Sequence, residues 1–235
     1  MKILFKITTR SRPENFLRCL KSILDNVEGD EYRIYVSVDA NDLSMSNKFL
    51  EDVFSLNENI FISVGESKNK INAINRDIRF DYDWDILVNV SDDMVFTKKG
   101  FDNDIRKAFS TECFIVGYNA LDKVVHFPDQ YQRENCMTMS IIGRDYYNRD
   151  GWIYNPKFES LWCDVVAQEV AQIRGCYKYV DKDIFVHLHP SLGLAPYDEL
   201  AMKTEAFDVR MRDYNTYLEL KKEYDPNNIF PIRSI

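Results

Sequence analysis

Two adjacent carboxylates, Asp92 and Asp93, interrupt the otherwise apolar run ILVNVSDDMVF at residues 86–96. A strand buried on both faces reads as a continuous apolar run of this kind. Ligands of open α/β sheets sit just beyond the carboxyl ends of such strands. Two acids there concentrate negative charge where a hard divalent cation can bridge the protein and a phosphate ester. The plainer alternative is a solvated turn that happens to carry two acids. The five cysteines, Cys19, Cys113, Cys136, Cys163 and Cys176, form no CxxC pair. They read as reduced, mostly buried small hydrophobes, which suits the cytoplasm and gives no zinc site.

The elements around the acidic pair follow from periodicity. Residues 2–8 read as a strand, and Pro13 opens a helix at its first turn with Phe16, Leu17, Leu20, Ile23 and Leu24 on one stripe. Residues 32–39 read as a second strand, 47–56 as a helix, 60–64 as a third strand, 71–80 as a helix and 85–90 as a fourth strand. This alternation predicts a wound, mainly parallel sheet with right-handed crossovers. Beyond the acids, 101–109 reads as a helix, 113–118 as a strand and 122–135, with HFPDQY, as a long surface loop. Residues 137–142 read as a strand, 161–173 as a helix, 182–188 as a short strand and 197–224 as one charged, amphipathic helix. No internal repeat or low-complexity linker is visible.

The bulk numbers exclude some functions. A chain of 235 residues, 45% hydrophobic and 29% charged, has the composition of an ordinary globular protein. Its net charge of -8 and pI near 5.0 argue against strong nonspecific nucleic-acid binding, or a grip on anionic membrane. The opening MKILFKITTRSR is too short in apolar residues for a signal-peptide core. No window approaches the roughly 18 apolar residues of a membrane span.

Six segments, in order over about residues 3–190, together resemble glycosyltransferase family 2, whose enzymes have the GT-A fold. KITTRSRPENFLRCLKSIL is similar to that family's first strand, basic turn and helix, and YVSVDAND to its second strand ending on an acid. SKNKINAINRDI resembles its nucleotide-side helix, and NVSDDM its metal-binding D-x-D motif in the form S-D-D. NPKFESLWCDVVAQEVAQIRG resembles the segment that carries the catalytic acid at a helix start, and IFVHLHP a late histidine strand. The resemblance implies an α/β chain with a GT-A (nucleotide-diphospho-sugar transferase) fold, a Rossmann-like wound mixed sheet flanked by helices. It implies one domain over 1–235: a nucleotide-sugar half at 1–95, an acceptor-side half at 96–196 and a C-terminal helix at 197–235. The membrane spans and late QxxRW-type motif of processive synthases are missing, so a single-addition transferase is expected.

What the resemblance implies about residues is specific. The donor is a UDP-sugar held on Mn²⁺ or Mg²⁺, with Asp93 ligating the ion and Asp92 contacting ribose or the ion through water. His187 and His189 lie two apart and share one side of a strand. Either can complete the metal site, His187 being preferred, or both are structural. Asp39 faces the base, where a carboxylate accepts from the uracil imide N–H, or it merely starts a turn. Thr8, Thr9 and Arg10 line the same pocket. Lys70 and Arg76 lie near the phosphates, or coat a solvated helix face. Asp164 is the candidate general base, taking a proton from an acceptor hydroxyl for in-line, inverting attack on the anomeric carbon. Its plainer role is an N-cap. The family often has Glu before this Asp, whereas this chain has Cys163, so Glu159 and Glu169 stand in reserve. Trp162 stacks on an acceptor sugar or fills core. HFPDQY and YYNRDGW shape an acceptor groove or pack internally, and SLGLAPYDEL is a lid or an ordinary loop. The acceptor is a glycan or another hydroxyl. Two rival functions remain open: a nucleotidyltransferase, disfavoured because KITTRSRPEN lacks a Gly-rich loop, and a noncatalytic sugar-nucleotide-binding module.

Overall fold

A computed structural model describes residues 1–78, 82–110 and 120–233. Its strands are β1 (Ile3–Thr9), β2 (Tyr32–Asp39), β3 (Ile60–Gly65), β4 (Ile86–Ser91), β5 (Met94–Phe96), β6 (Val124–His126), β7 (Ile141–Gly143), β8 (Tyr177–Tyr179) and β9 (Phe185–His187). Its helices are α1 (Pro13–Asn26), α2 (Asn47–Phe54), α3 (Lys70–Asn75), α4 (Phe101–Ser110), α5 (Arg144–Asp150), α6 (Cys163–Ile173), α7 (Glu199–Thr204) and α8 (Phe207–Tyr224). A seven-stranded sheet runs β3-β2-β1-β4-β7-β6-β8, and β5 pairs with β9 in a separate ribbon. The pairs β1/β2, β1/β4 and β2/β3 are parallel, whereas β7 is antiparallel to both β4 and β6.

Alternating side chains of the central strands feed two cores. Ile3, Phe5 and Ile7 of β1 pack with Phe16, Cys19, Leu20 and Ile23 of α1 and with Phe101 and Ile105 of α4. The i, i+3, i+4, i+7 spacing on α1 is what seats one helix face on a sheet. On the opposite face Leu4 and Leu87 meet Ile71 and Ile74 of α3, Tyr146 of α5, Val166 of α6 and Tyr217 of α8. Helix starts are set locally: Pro13 occupies the first turn of α1, and Asn69 accepts from Asn72 N–H at 2.8 Å to cap α3.

In the second half α5 and β8 form where no element was expected, and several expected elements differ. The stretch expected as a surface loop at 122–135 contains β6, and His126, Phe127 and Asp129 within it are fully buried. The strand expected over 137–142 pairs only at Ile141–Gly143. The single helix expected over 197–224 is broken between Thr204 and Phe207. The strand expected at 113–118 and the end of the helix expected over 71–80 lie outside the described residues; α3 itself ends at Asn75. Among the described residues no helix is long and apolar enough to cross a membrane.

Candidate active site

Three parallel strands deliver acids and threonines to one edge: β1 ends on Thr8 and Thr9, β2 on Asp39, and β4 leads directly into Asp92 and Asp93. Strand order turns at β1, which lies between β2 and β4. Open sheets place their ligand crevice at such a switch point.

Asp92 is 3% exposed, accepts from Thr9 Oγ1 at 2.9 Å and lies 3.4 Å from Arg12 Nη1. Burial and then the neighbouring Asp93 charge push its carboxyl up to about 6, against the pull of Arg12. Asp93 is 5% exposed, and the antiparallel register Met94↔His187 brings His187 beside it across 94 positions of sequence. His187 Nε2 lies 3.3 Å from Asp93 Oδ1, yet no described residue donates a hydrogen bond to that oxygen. Burial alone raises Asp93, but the imidazole overrides it and holds the carboxyl well below its ordinary range. On its other side His187 Nδ1 lies 3.7 Å from Asp129 Oδ2. Burial disfavours the imidazolium, and the two flanking carboxylates more than offset that, raising His187 to about 9. His189 turns elsewhere, with Nδ1 on Ser191 Oγ at 2.7 Å and Nε2 on Glu205 at 3.0 Å.

Asp39 sits among guanidinium groups. Arg10 pairs with its Oδ2, and Arg76 Nη2 lies 3.6 Å from its Oδ1 while donating to Val38 O at 2.7 Å. Arg76 also pairs with Asp77 at 2.9 Å, so it sits at the end of β2 beside Asp39. Gly65 opens the path, because a Cβ there would meet Arg76 Nη1 at 2.4 Å. Lys70, exposed at the start of α3, lies near enough to help lower Asp93 and Glu205.

Asp164 occupies the first turn of α6, one residue inside Cys163, while Trp162 is the cap residue. It is therefore not the N-cap. Trp162 has φ 64°, a strained value for a bulky residue. Buried Asp213 of α8 secures the loop before it by accepting from the N–H groups of Glu159, Ser160 and Leu161 at 2.7–2.8 Å. The Trp162 indole stacks on Tyr217 at 5.1 Å and 17°, within the second core. Of the reserve acids, Glu169 is committed to Lys221 at 3.1 Å and Glu159 to Arg212 at 2.9 Å.

Three residues at this site carried no sequence signal of their own. Arg12 links Asp92 to Asp198, whose two oxygens it contacts at 2.5 and 2.7 Å. Burial works against the Arg12 charge, and Asp198 with Asp92 outweighs it. Asp198 is also the cap of α7, so Arg12 ties the segment 188–198 to the acid pair. Asp129 and Asp213 are the other two; HFPDQY, which holds Asp129, is expected from sequence to be a surface loop that shapes an acceptor groove or packs internally, with no role for Asp129 itself.

Among the described residues, no three His, Cys, Asp or Glu side chains form a metal cage by themselves. Asp93 and His187 supply one hard oxygen and one imidazole, a partial set of the kind that substrate phosphates and water complete. The buried Asp93 oxygen that lacks a donor fits an ion in that place.

The fold is of the GT-A glycosyltransferase type. The mannosyltransferase PcManGT from Pyrobaculum calidifontis, solved with GDP-Man and Mn²⁺, matches with a TM-score of 0.69 at 9% identity, over 93% of this chain. S. aureus TarS 1–349 with UDP-GlcNAc gives 0.64 at 11% identity over 94% of this chain and 67% of its own. The same TarS fragment with UDP gives 0.56 at 11% identity, over 100% of this chain and 76% of its own. This chain spans 64% of the mannosyltransferase's length. No family model and no curated protein matches the sequence.

Proposed function

We propose that this chain is a metal-dependent, inverting glycosyltransferase that moves a hexose from a UDP-sugar to an acceptor hydroxyl. The observation that carries this reading is the donorless, buried Asp93 oxygen facing His187 beyond β4. Solved proteins of similar fold carry GDP-Man, UDP-GlcNAc or UDP, which supports a nucleotide-sugar donor here. Residues 1–95 form the donor half, 96–196 the acceptor side, and 197–235 a C-terminal cover. The free cysteines among the described residues suit a reducing compartment, the cytoplasm.

Asp93 and His187 would hold Mn²⁺ or Mg²⁺, which when bound offsets charge on the departing diphosphate. Asp39, with Arg10 and Arg76 fixing its carboxylate, accepts from the imide N–H of uracil. Thr8 and Thr9 line the crevice, and Asp92, held by Thr9 and Arg12, faces the ribose. The Lys70 ammonium approaches the diphosphate. Asp164 removes the acceptor hydroxyl's proton as its oxygen bonds to the anomeric carbon. The bond to the diphosphate breaks on the opposite face, so the centre inverts without a covalent intermediate.

The test is a thermal shift with UDP, UDP-glucose, UDP-GlcNAc and GDP-mannose, each with Mn²⁺ and with EDTA. A ligand at a hundred times its dissociation constant stabilises by about 2.7 kcal/mol. A UDP-dependent shift that needs Mn²⁺ and disappears in Asp93→Ala supports the reading. A shift with GDP-mannose alone reassigns the donor, and no shift with any nucleotide overturns the donor site. Binding without transfer or donor hydrolysis favours the noncatalytic module.

A further inference from the structure

Asp164 is exposed to a choice that most first-turn acids make freely. Its Oδ1 already accepts from the Val165 N–H at 2.8 Å, so rotation of the carboxylate would spend both oxygens on its own helix. The second oxygen is instead engaged from outside: Cys136 Sγ lies 3.2 Å from Asp164 Oδ2. Cys136 has not drifted there. Gln168, one turn further along α6 and 2% exposed, grips the backbone on both sides of it. It accepts from Met137 N–H at 2.8 Å and donates to Glu134 O at 2.9 Å. Residues 164 and 168 share one helix face, so a single stretch of chain is fastened to that face at Gln168 and presents its thiol at Asp164.

We propose that Cys136 is a positioning residue for the general base: its S–H fixes one carboxylate oxygen of Asp164, leaving the group oriented for the acceptor rather than turned onto α6. The inference rests on the base role assigned above. A thiol suits the job because it donates weakly and leaves the carboxylate basic. Burial, and then the nearby Asp164 charge, raise Cys136 well above the ordinary thiol range, so it stays a donor at working pH. The same contact makes the thiol a poor nucleophile and metal ligand.

The test compares Cys136→Val, which removes the donor, with Cys136→Ser, which keeps one; Cys136→Ala repeats the first if valine does not fold. The readout is nucleoside diphosphate release from UDP-glucose, UDP-GlcNAc or GDP-mannose with Mn²⁺ and water as acceptor. Valine should lower kcat about tenfold, the size of one lost positioning hydrogen bond, with donor KM unchanged. The acid limb of its pH profile should move upward, because the ionised form has lost a donor. Serine should restore kcat to within about threefold. Equal losses in serine and valine, or a normal kcat and profile in valine, overturn the proposal. If Asp164→Asn turns over normally, the base reading fails and this inference with it. If Asp164→Asn is dead while valine is normal, only this inference fails. An activity-free measurement stands beside these: the infrared S–H stretch assigned by the Cys136→Ser difference should move to the free-thiol position in Asp164→Ala. An unmoved band overturns the proposal.

Discussion

Asp129 shares none of the signals that single out Asp93, yet it is the more deeply buried of the two, at 0% exposure. It accepts from Tyr131 N–H, Gln132 N–H and Thr138 Oγ1 at 2.6–3.0 Å, and burial is overcome by these and by His187 to lower its carboxyl. A carboxylate so anchored, 3.7 Å from His187 Nδ1, orients the ring from behind. Asp129→Asn should weaken Mn²⁺-dependent UDP binding about 10–100-fold with little change in metal-free stability, measured by calorimetric titration. Asp92 and Asp93 were legible because carboxylates break an apolar strand. Asp129, Arg12 and Cys136 were not, because each matters through a partner at least 28 positions away. Lys6 is a second residue of that kind. Fully buried on β1 and bonded to Ser37, it is depressed to about 7, chiefly by burial, against the pull of Asp77. The unfolded chain binds this proton up to about pH 10.4 and the folded chain only to about 7, so stability rises with pH across that window. Lys6→Met should therefore stabilise by up to about 4 kcal/mol at pH 7, with the gain vanishing above about pH 10.4. Urea unfolding at pH 7 and 10.5 checks it, and an equal effect at both pH values would refute the titration argument.

At the level of elements, the first four strands and three helices could be read because each is at least six residues long, enough for a repeat of apolar positions to be counted. Tyr32–Asp39, for example, has eight residues over which alternation can be counted. The three-residue strands β5, β6, β7, β8 and β9 are too short to show a period. Their identity comes from pairing with distant partners. HFPDQY looked like loop because Pro128 and Asp129 are turn formers, although β6 just before them is buried in the sheet. The C-terminal helix breaks because Asp198 caps a separate short α7, and Ala206 begins α8 from an extended conformation. Gly143 shows how tightly the short strands are joined. It pairs with Ile86, hands β7 over to α5, and a Cβ there would lie 2.0 Å from the Leu121 carbonyl oxygen. Backbone cannot swing aside as a side-chain tip does. Gly143→Ala should therefore cost about 3 kcal/mol, the upper end of overpacking, whereas Gly65→Ala, facing only the Arg76 guanidinium, should cost no more than about 1 kcal/mol. Thermal melts of the two variants side by side decide this, and a milder effect at Gly143 would refute it.

Across the whole molecule, the wound half of the sheet follows from chain order and right-handed crossovers, while the second half is held together by contacts that no local pattern announces. The largest is a buried charge cluster between α6 and α8. Lys221 Nζ lies 3.1 Å from Glu169 and 3.0 Å from Asp225, Tyr224 donates its hydroxyl to Glu169 at 2.8 Å, and Arg233 approaches Glu169 at 3.4 Å. Asp225 also accepts from Ile229 N–H and Phe230 N–H, so the chain after α8 is folded back onto this cluster. Arg233 continues to Asn135 O, beside Cys136. The C-terminal cover is thereby joined to the helix that bears Asp164 and to the loop that supports it. Removing one partner from such a cluster leaves a buried charge undercompensated, which typically costs 3–5 kcal/mol, whereas replacing a pair with apolar side chains is far cheaper. Glu169→Ala should accordingly lower stability by about 3 kcal/mol, and Glu169→Leu with Lys221→Met should recover at least about half of the loss. Urea unfolding measures both. Because most of the residues proposed to hold the donor lie at the ends of β1, β2 and β4, away from this cluster, the folded Glu169→Ala protein should keep the nucleotide affinity proposed above while losing turnover through the displaced Asp164. Parallel loss of affinity and turnover would instead mean that the two halves act as one unit.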